Sequence, residues 1–175
     1  MGAVLESLSV AAARAEEPAL VKVLQDAVDG GASVGFLPPL GTEDAAAYWR
    51  SVVTALDDGT RVLLVAREPG GEIVGTLQLD LATRPNARHR AEVMKVMVLR
   101  SARRQGIGRA LMLAAEEQAR QLGRTTLVLD TRRGDPSERL YESVGYRLGG
   151  IIPAYARSAD GALDPSAFYF RLLEP

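Results

Sequence analysis

No stretch constrains this chain more than the run Val96-Met97-Val98-Leu99-Arg100-Ser101-Ala102-Arg103-Arg104-Gln105-Gly106-Ile107-Gly108-Arg109-Ala110-Leu111. Its apolar opening predicts the end of a strand over Ala91–Leu99, and its arginine-rich middle predicts a loop that ends in two glycines. Ile107, Leu111, Ala114, Ala115, Gln118 and Leu122 then recur at spacings of three and four, the period of a helix over Ile107–Leu122. A further β-rich run, Thr125–Thr131, follows at once. Strand, helix and strand in that order make a βαβ crossover at the centre of the chain.

The junction between loop and helix has its own chemistry. The first amides of a helix lack intrahelical acceptors, and Gly106 and Gly108 let an anion approach the backbone there. Arg100, Arg103, Arg104 and Arg109 gather positive charge around the same point. The alternative is a solvated arginine-rich turn ahead of an ordinary helix. No Gly-Lys-Ser/Thr follows, so the loop is not a Walker loop, and the G-x-G-x-x-G dinucleotide fingerprint is incomplete.

The flanks add antiparallel structure. Residues 4–10 predict a short first strand, Pro18–Leu24 opens a helix that Gly30-Gly31 stops, and Gly30–Leu40 reads as an ordered but bendable loop. Thr42 is expected to cap a second helix with Glu43 and Asp44 in its first turn, and Asp57-Asp58-Gly59 ends it. Arg61–Arg67 and Glu72–Leu81 predict strands joined by a turn at Pro69-Gly70-Gly71. Thr83–Arg90 is a polar loop, Pro136–Val144 a short helix, and two strands near Tyr146–Tyr155 and Ala167–Leu173 close the chain. The expected order is β-α-α-β-β-β-α-β-α-β-β: an α/β (α+β) fold in one domain, 1–175.

Composition narrows the chemistry. Cysteine is absent and His89 is the lone histidine, which removes thiolate nucleophiles and Cys- or multi-His metal sites. A formal net charge of −1 gives no general attraction to nucleic acid or anionic membrane. No run reaches the ~18 apolar residues of a membrane span. The N-terminus lacks a signal-peptide pattern, and Glu6 stands where a myristoylation motif wants Ser or Thr. A cytoplasmic protein without a metal is expected.

Two motifs carry a resemblance. Arg103-Arg104-Gln105-Gly106-Ile107-Gly108, after a Val-x-Val-Leu strand, resembles the R/Q-x-x-G-x-G/A signature of the GNAT acetyltransferases. Leu140-Tyr141-Glu142-Ser143-Val144-Gly145-Tyr146, about 35 residues on, is similar to that family's L-Y-x-x-x-G-F/Y element. Gly30–Phe36, Arg90–Val93 and Phe168-Tyr169-Phe170 further resemble segments of the tabtoxin-resistance acetyltransferases, which acetylate the amino group of a β-lactam toxin. The resemblance implies a largely antiparallel mixed sheet around the central crossover, with helices on both faces and the fourth and fifth strands splayed.

It also implies roles. The backbone of Met97, Val98 and Leu99 would pair with the pantetheine arm of acetyl-CoA like an added strand, with the Val98 amide as oxyanion donor. Amides across Arg104–Arg109, within the loop Arg103, Arg104, Gln105, Gly106, Ile107, Gly108 and Arg109, would hold the pyrophosphate. Tyr141 matches the general acid for the CoA thiolate; its helical face with Ser137, Leu140 and Val144 also suits a core aromatic. Where the family often has Asn seven residues earlier stands Gly134, which leaves a CoA contact missing or moved to Ser137.

The acceptor amine needs a base. Glu92 opens the fourth strand and alternates with Met94 and Val96, so in an unbulged strand it lies on an otherwise apolar face, where its pKa would rise. Asp130 at the exit of the fifth strand is the second candidate, and either acid could instead bind a cationic substrate or cap a loop. Lys95 would share a face with Val93 and Met97 and reads as a snorkelling side chain. His89 reads as part of a solvated loop, and Phe36 could fold over the acceptor or simply link two helices.

The expected function is transfer of acetyl from acetyl-CoA to a small amine by direct attack in a ternary complex, since no cysteine can carry the acyl group. A protein or tRNA acceptor, or a CoA-binding regulator without turnover, are the alternatives. No nucleic-acid or membrane partner is expected. The closing strand with Phe168, Tyr169 and Phe170 could pair across a homodimer or finish the sheet.

Overall fold

A computed structural model describes residues 2–174. The elements run β1 (Val4–Ser7), α1 (Val10–Ala15), α2 (Glu17–Asp29), α3 (Thr42–Asp57), β2 (Arg61–Arg67), β3 (Ile73–Leu81), β4 (Arg90–Val98), α4 (Ile107–Gln121), β5 (Thr126–Arg132), α5 (Ser137–Ser143), β6 (Arg147–Arg157) and β7 (Leu163–Leu172). Seven strands form one sheet in the order β1-β2-β3-β4-β5-β7-β6. Every neighbouring pair is antiparallel except β4 with β5, the parallel pair joined by the α4 crossover.

Strand alternation sends the two faces of the sheet to different helices. On one face, a Cβ at Gly75 would meet Ile107 and Leu111 of α4, and Tyr169 and Thr131 hydrogen-bond Glu138 and Ser137 of α5. On the other, Tyr48 of α3 bonds Gln78 of β3. The core between the layers holds Trp49, Leu20, Leu24, Leu63, Leu77, Leu79, Leu111, Met112 and Leu127, each essentially removed from solvent.

Some local expectations are corrected. The first strand stops at Ser7, and a short helix, α1, precedes the expected one, which runs as α2. Ser9 caps α1 through the Ala12 amide, and Pro18, with no N–H and a ring that would strike the Arg14 carbonyl, forces a new helix. Thr42 is not the cap of α3: Gly41 holds that position with extended backbone, and Thr42 Oγ1 instead accepts from Gln25 (3.3 Å). The strand β7 begins four residues before Ala167, and it lies inside the sheet between β5 and β6. Phe168-Tyr169-Phe170 therefore lies within the sheet, paired on both sides, and β6 is the strand at that edge.

Candidate active site

The parallel pairing of β4 with β5 is short. Arg90, Ala91 and Glu92 face Thr126, Leu127 and Val128, and beyond Glu92 and Val128 no ladder joins the two strands. On its other side β4 stays paired: the Leu99 amide donates to the Val74 carbonyl (2.8 Å), and Val98 faces Gly75. Antiparallel alternation then turns the Val98 amide away from β3, into the gap toward β5. The Val98 carbonyl accepts from Arg103 Nε at 3.2 Å. The expected splay is present, with Met97 and Leu99 buried against the core and Val98 between them.

At the end of this gap lies the anion loop. After a 3-10 turn over Arg100–Ala102, Arg104 (φ 62°) and Gly106 (φ 80°) both take left-handed backbone, and no side chain caps the start of α4. The first amides of a 15-residue helix are thus open, with Arg103, Arg104 and Arg109 around them. The two glycines differ in purpose. Gly106 serves backbone conformation, since nothing lies near its missing Cβ. Gly108 instead faces protein: a Cβ there would stand 3.2 Å from Leu140 and 4.0 Å from Val98, so it lets α4 close on α5 and β4.

The acceptor face is set by a β-bulge. Gln78 faces Met94 and Thr76 faces Met97, so Lys95 and Val96 together oppose Leu77, with Lys95 in left-handed backbone (φ 52°). The expectation of an unbulged strand is therefore overturned. Lys95 leaves the Val93 face and joins Glu92, its ammonium 5.6 Å from the centre of the Tyr48 ring rather than snorkelling outward. The apolar face expected around Glu92 is in fact polar, because Asp80 faces Glu92 directly across β3–β4 and Asp130 lies two residues past its partner Val128. Partial burial, then Asp130 and Asp80, push the Glu92 carboxyl above its usual range, while Lys95 and Arg61 pull it back. Burial, then Arg61, lowers Lys95. Arg61 bonds Gln78 (2.7 Å) and Asp80 (3.1 Å), and Asp130 accepts from Ser166 (2.6 Å).

Over this face folds the Gly30–Leu40 loop. Phe36 meets the Tyr48 ring edge-on at 5.3 Å and 78°, and a Cβ at Gly35 would stand 3.4 Å from Lys95 Nζ. The loop is thus more than a helix connection. A cavity of about 290 Å³ lies between it and the β6–β7 hairpin, lined by Phe36, Arg132 and Arg157 among others.

Tyr141 lies on α5 with 6% of its surface exposed, within a cluster of Tyr146 (6.3 Å) and Tyr169 (6.2 Å). Burial, then the charges of Asp130 and Asp135, hold its hydroxyl well above the usual tyrosine range. It therefore stays protonated across the range in which the protein works. Ser137, at the start of α5, shares a 2.8 Å hydrogen bond with Thr131. Gly134 has φ 91°, and its amide donates to Glu138 (2.6 Å), so the missing asparagine coincides with left-handed backbone.

Three residues escaped the sequence reading. Glu138 is 8% exposed and accepts from Gly134, from Arg133 (2.5 Å) and from the Tyr169 hydroxyl (2.5 Å), tying α5 to β7. Tyr48 and Gln78 form the floor beside Lys95. Their side chains look like ordinary helix and strand positions until the bulge aims Lys95 at them. His89, by contrast, is exposed at the start of β4, and its carbonyl accepts from the Thr125 and Thr126 amides (2.8 and 3.0 Å). Arg124 ties its loop down through the carbonyls of Ala82 and Arg88. It stands at the opposite end of the strands from the anion loop.

This arrangement fits a long thioester carrier: open helix amides and arginines for its phosphates, a diverging strand edge for its arm, a protonated phenol and carboxylates beyond. Among the described residues no group of three or more His, Cys, Asp or Glu could hold a metal ion, and no helix is long and apolar enough to cross a membrane.

Comparison with known proteins agrees with the geometry. The model of the Acetyltransferase (GNAT) family matches residues 26–146. An uncharacterised N-acetyltransferase of the hisH-hisA intergenic region of Azospirillum brasilense is 35% identical over 142 residues, covering 77% of this chain and 80% of its own length. Among solved structures, a ribosomal-protein-alanine N-acetyltransferase from Brucella melitensis superposes with a TM-score of 0.79 at 24% identity, over 97% of this chain and 99% of that one. A phosphinothricin acetyltransferase from Sinorhizobium meliloti, in complex with acetyl-CoA, reaches a TM-score of 0.80 at 22% identity, over 99% and 89%. The chain belongs to the GNAT acetyltransferase family and is an acetyl-CoA-dependent acyltransferase.

Proposed function

We propose that the chain, acting as one domain over 1–175 in the cytoplasm, acetylates the primary amine of a small molecule by direct attack in a ternary complex. The observation that carries this is the end of the β4–β5 ladder at Glu92 and Val128, which leaves the Val98 amide unpaired toward the gap. Amides from Arg104 to Arg109, with Arg103, hold the pyrophosphate at the start of α4, and Met97–Leu99 offer a strand edge to the pantetheine arm. Ser137 borders this path beside Thr131.

When bound, acetyl-CoA supplies an activated acetyl group; a C–N bond forms to the acceptor as the C–S bond breaks. Glu92, its carboxyl held up by partial burial and by Asp130 and Asp80, takes the proton that the acceptor ammonium must lose, through water. Asp130 holds the ammonium beforehand, and Phe36 closes over it. The Val98 amide donates to the oxygen on which charge develops, a contribution of roughly 3–4 kcal/mol to the barrier. Tyr141 gives its hydroxyl proton to the departing sulfur and regains one from the proton that the acylated nitrogen sheds as the amide forms. An amino-acid-like amine or a toxin or antibiotic amine suits a face with both acids and a lysine.

The test is release of CoA thiol from acetyl-CoA against amino acids, polyamines, aminoglycosides and tabtoxinine-β-lactam. Turnover on one class establishes the small-amine reading. Silence across the panel with acetyl-CoA binding intact overturns it in favour of a macromolecular acceptor or a regulator.

A further inference from the structure

Lys95 is the most anomalous charge in the acceptor cleft. It sits in left-handed backbone at the bulge, a conformation that non-glycine residues adopt rarely. Its ammonium is half-buried, and among the described residues it forms neither an ion pair nor a hydrogen bond. Its one recorded partner is the face of Tyr48, 5.6 Å away, which compensates a desolvated cation only in part.

The surroundings keep this cation free. Asp80, the nearest acid on β3, is engaged by Arg61 at 3.1 Å, and Asp130, whose Oδ2 accepts from Ser166 at 2.6 Å, acts on Lys95 through its charge without forming an ion pair with it. Tyr48 is itself fixed by its hydrogen bond with Gln78 (3.0 Å) and by Phe36 against its ring, so the platform under Lys95 is rigid. Above, the loop passes with Gly35, where a side chain would begin 3.4 Å from Nζ. A half-buried cation held in strained backbone, on a fixed ring, against a glycine that lines the neighbouring cavity, is prepared for an anion that comes from outside.

We propose that Lys95 anchors a carboxylate of the acceptor, so that the acceptor is an amine bearing a carboxylate close to its amino group, with the amine directed toward Glu92 and Asp130. This rests on the small-amine reading above and narrows it. The bulge supplies the geometry: it brings Lys95 onto the Glu92 face, so that one cation and one free carboxylate share one face of one strand. Such a pair matches a zwitterion and penalises both a bare amine, which leaves Lys95 unpaired, and a diamine, which repels it. Lys95 is thereby a specificity residue of the acceptor site.

The experiment compares each proteinogenic L-amino acid with its α-carboxamide as acceptor, by thiol release, in the wild type and in Lys95→Met and Lys95→Arg. Both replacements are unbranched, and their melting temperatures report on folding. The wild type is expected to favour the acid over its carboxamide by at least tenfold in kcat/KM. Measured on the pH plateau, above the acid limb that loss of the Lys95 charge moves upward, Lys95→Met is expected to raise KM for the acid roughly 100-fold, with kcat and the carboxamide little changed, as for truncation of one partner of a buried charge pair. Lys95→Arg is expected to restore most of the loss. Equal use of acid and carboxamide by the wild type, or equal loss on both in Lys95→Met, overturns the proposal while leaving the small-amine reading standing. Absence of turnover on any amine, with acetyl-CoA bound, overturns both.

Discussion

Asp80 on β3 stands directly across from Glu92 on β4, and Arg61 neutralises the first of them, with Nη2 3.1 Å from Asp80 Oδ1. Like charges opposed across a ladder destabilise one another unless something offsets them. Here the cost falls on Glu92, whose proton is held to higher pH by partial burial, Asp130 and Asp80, against the opposing pull of Lys95 and Arg61. A base needs its carboxylate form, so kcat/KM is expected to rise with pH through this raised pKa. Asp80→Asn removes one repulsion and moves that acid limb toward lower pH. Arg61→Met removes an attraction and moves it toward higher pH. Limbs unmoved in both variants exclude Glu92 as the base.

Tyr141→Phe retains the ring between Tyr146 and Tyr169 and deletes only the hydroxyl. A drop in kcat of roughly 10²- to 10⁴-fold is expected, the usual span for losing a general acid. Acetyl-CoA affinity, read by calorimetry, stays the same. Unchanged turnover removes Tyr141 from the chemistry.

The two loop glycines separate binding from stability. Aspartate tolerates left-handed backbone, so Gly106→Asp at φ 80° is expected to fold and to abolish acetyl-CoA binding by placing a negative charge at the phosphate cradle. Gly108→Val pushes into Leu140, 3.2 Å from its first added carbon, and is expected to cost about 1–3 kcal/mol of stability by overpacking. Chemical denaturation and calorimetry on both variants distinguish the effects.

Glu138 offers a pH test of the fold around Tyr141. Burial pushes its carboxyl up, but hydrogen bonds from Tyr169, Gly134 and Arg133 outweigh that and leave it below the usual range. A carboxyl lowered on folding stabilises above its unfolded value, ~4.3, and the stabilisation fades as pH falls through the folded value. Glu138→Gln is expected to cost about 1–3 kcal/mol at neutral pH. The gap from wild type should narrow by pH 3, as urea titrations at the two pH values will show.

Leu77 opposes the bulge from β3 and is fully buried. Leu77→Ala is expected to destabilise by about 2–5 kcal/mol through lost burial and a residual cavity. Equilibrium unfolding in urea measures it, and a loss under 1 kcal/mol means that β4 collapses into the space.

Local pattern carried a large part of this protein. Hydrophobic period, glycine punctuation and the Arg103–Gly108 loop were enough for the helices α2–α4, the strands β2–β5 and the anion-binding start of α4, because those signals act within a few residues. Pro18 marked the start of α2 in the sequence, whereas α1 before it, only 6 residues long, is too short for a helical period to show. The motif also marked Tyr141 without its setting: the aromatic cluster that buries it comes from Tyr146 and from Tyr169 on a strand 28 residues away.

What the chain by itself determined is the order of elements, the crossover and the loop that opens α4. What the tertiary structure alone decided is the acceptor face. Strict alternation puts Glu92 and Lys95 on opposite faces; one extra residue against Leu77 puts them together, over a tyrosine from α3 and under a loop glycine. A bulge is a property of two strands in register, not of one, so no periodicity along β4 could have announced it.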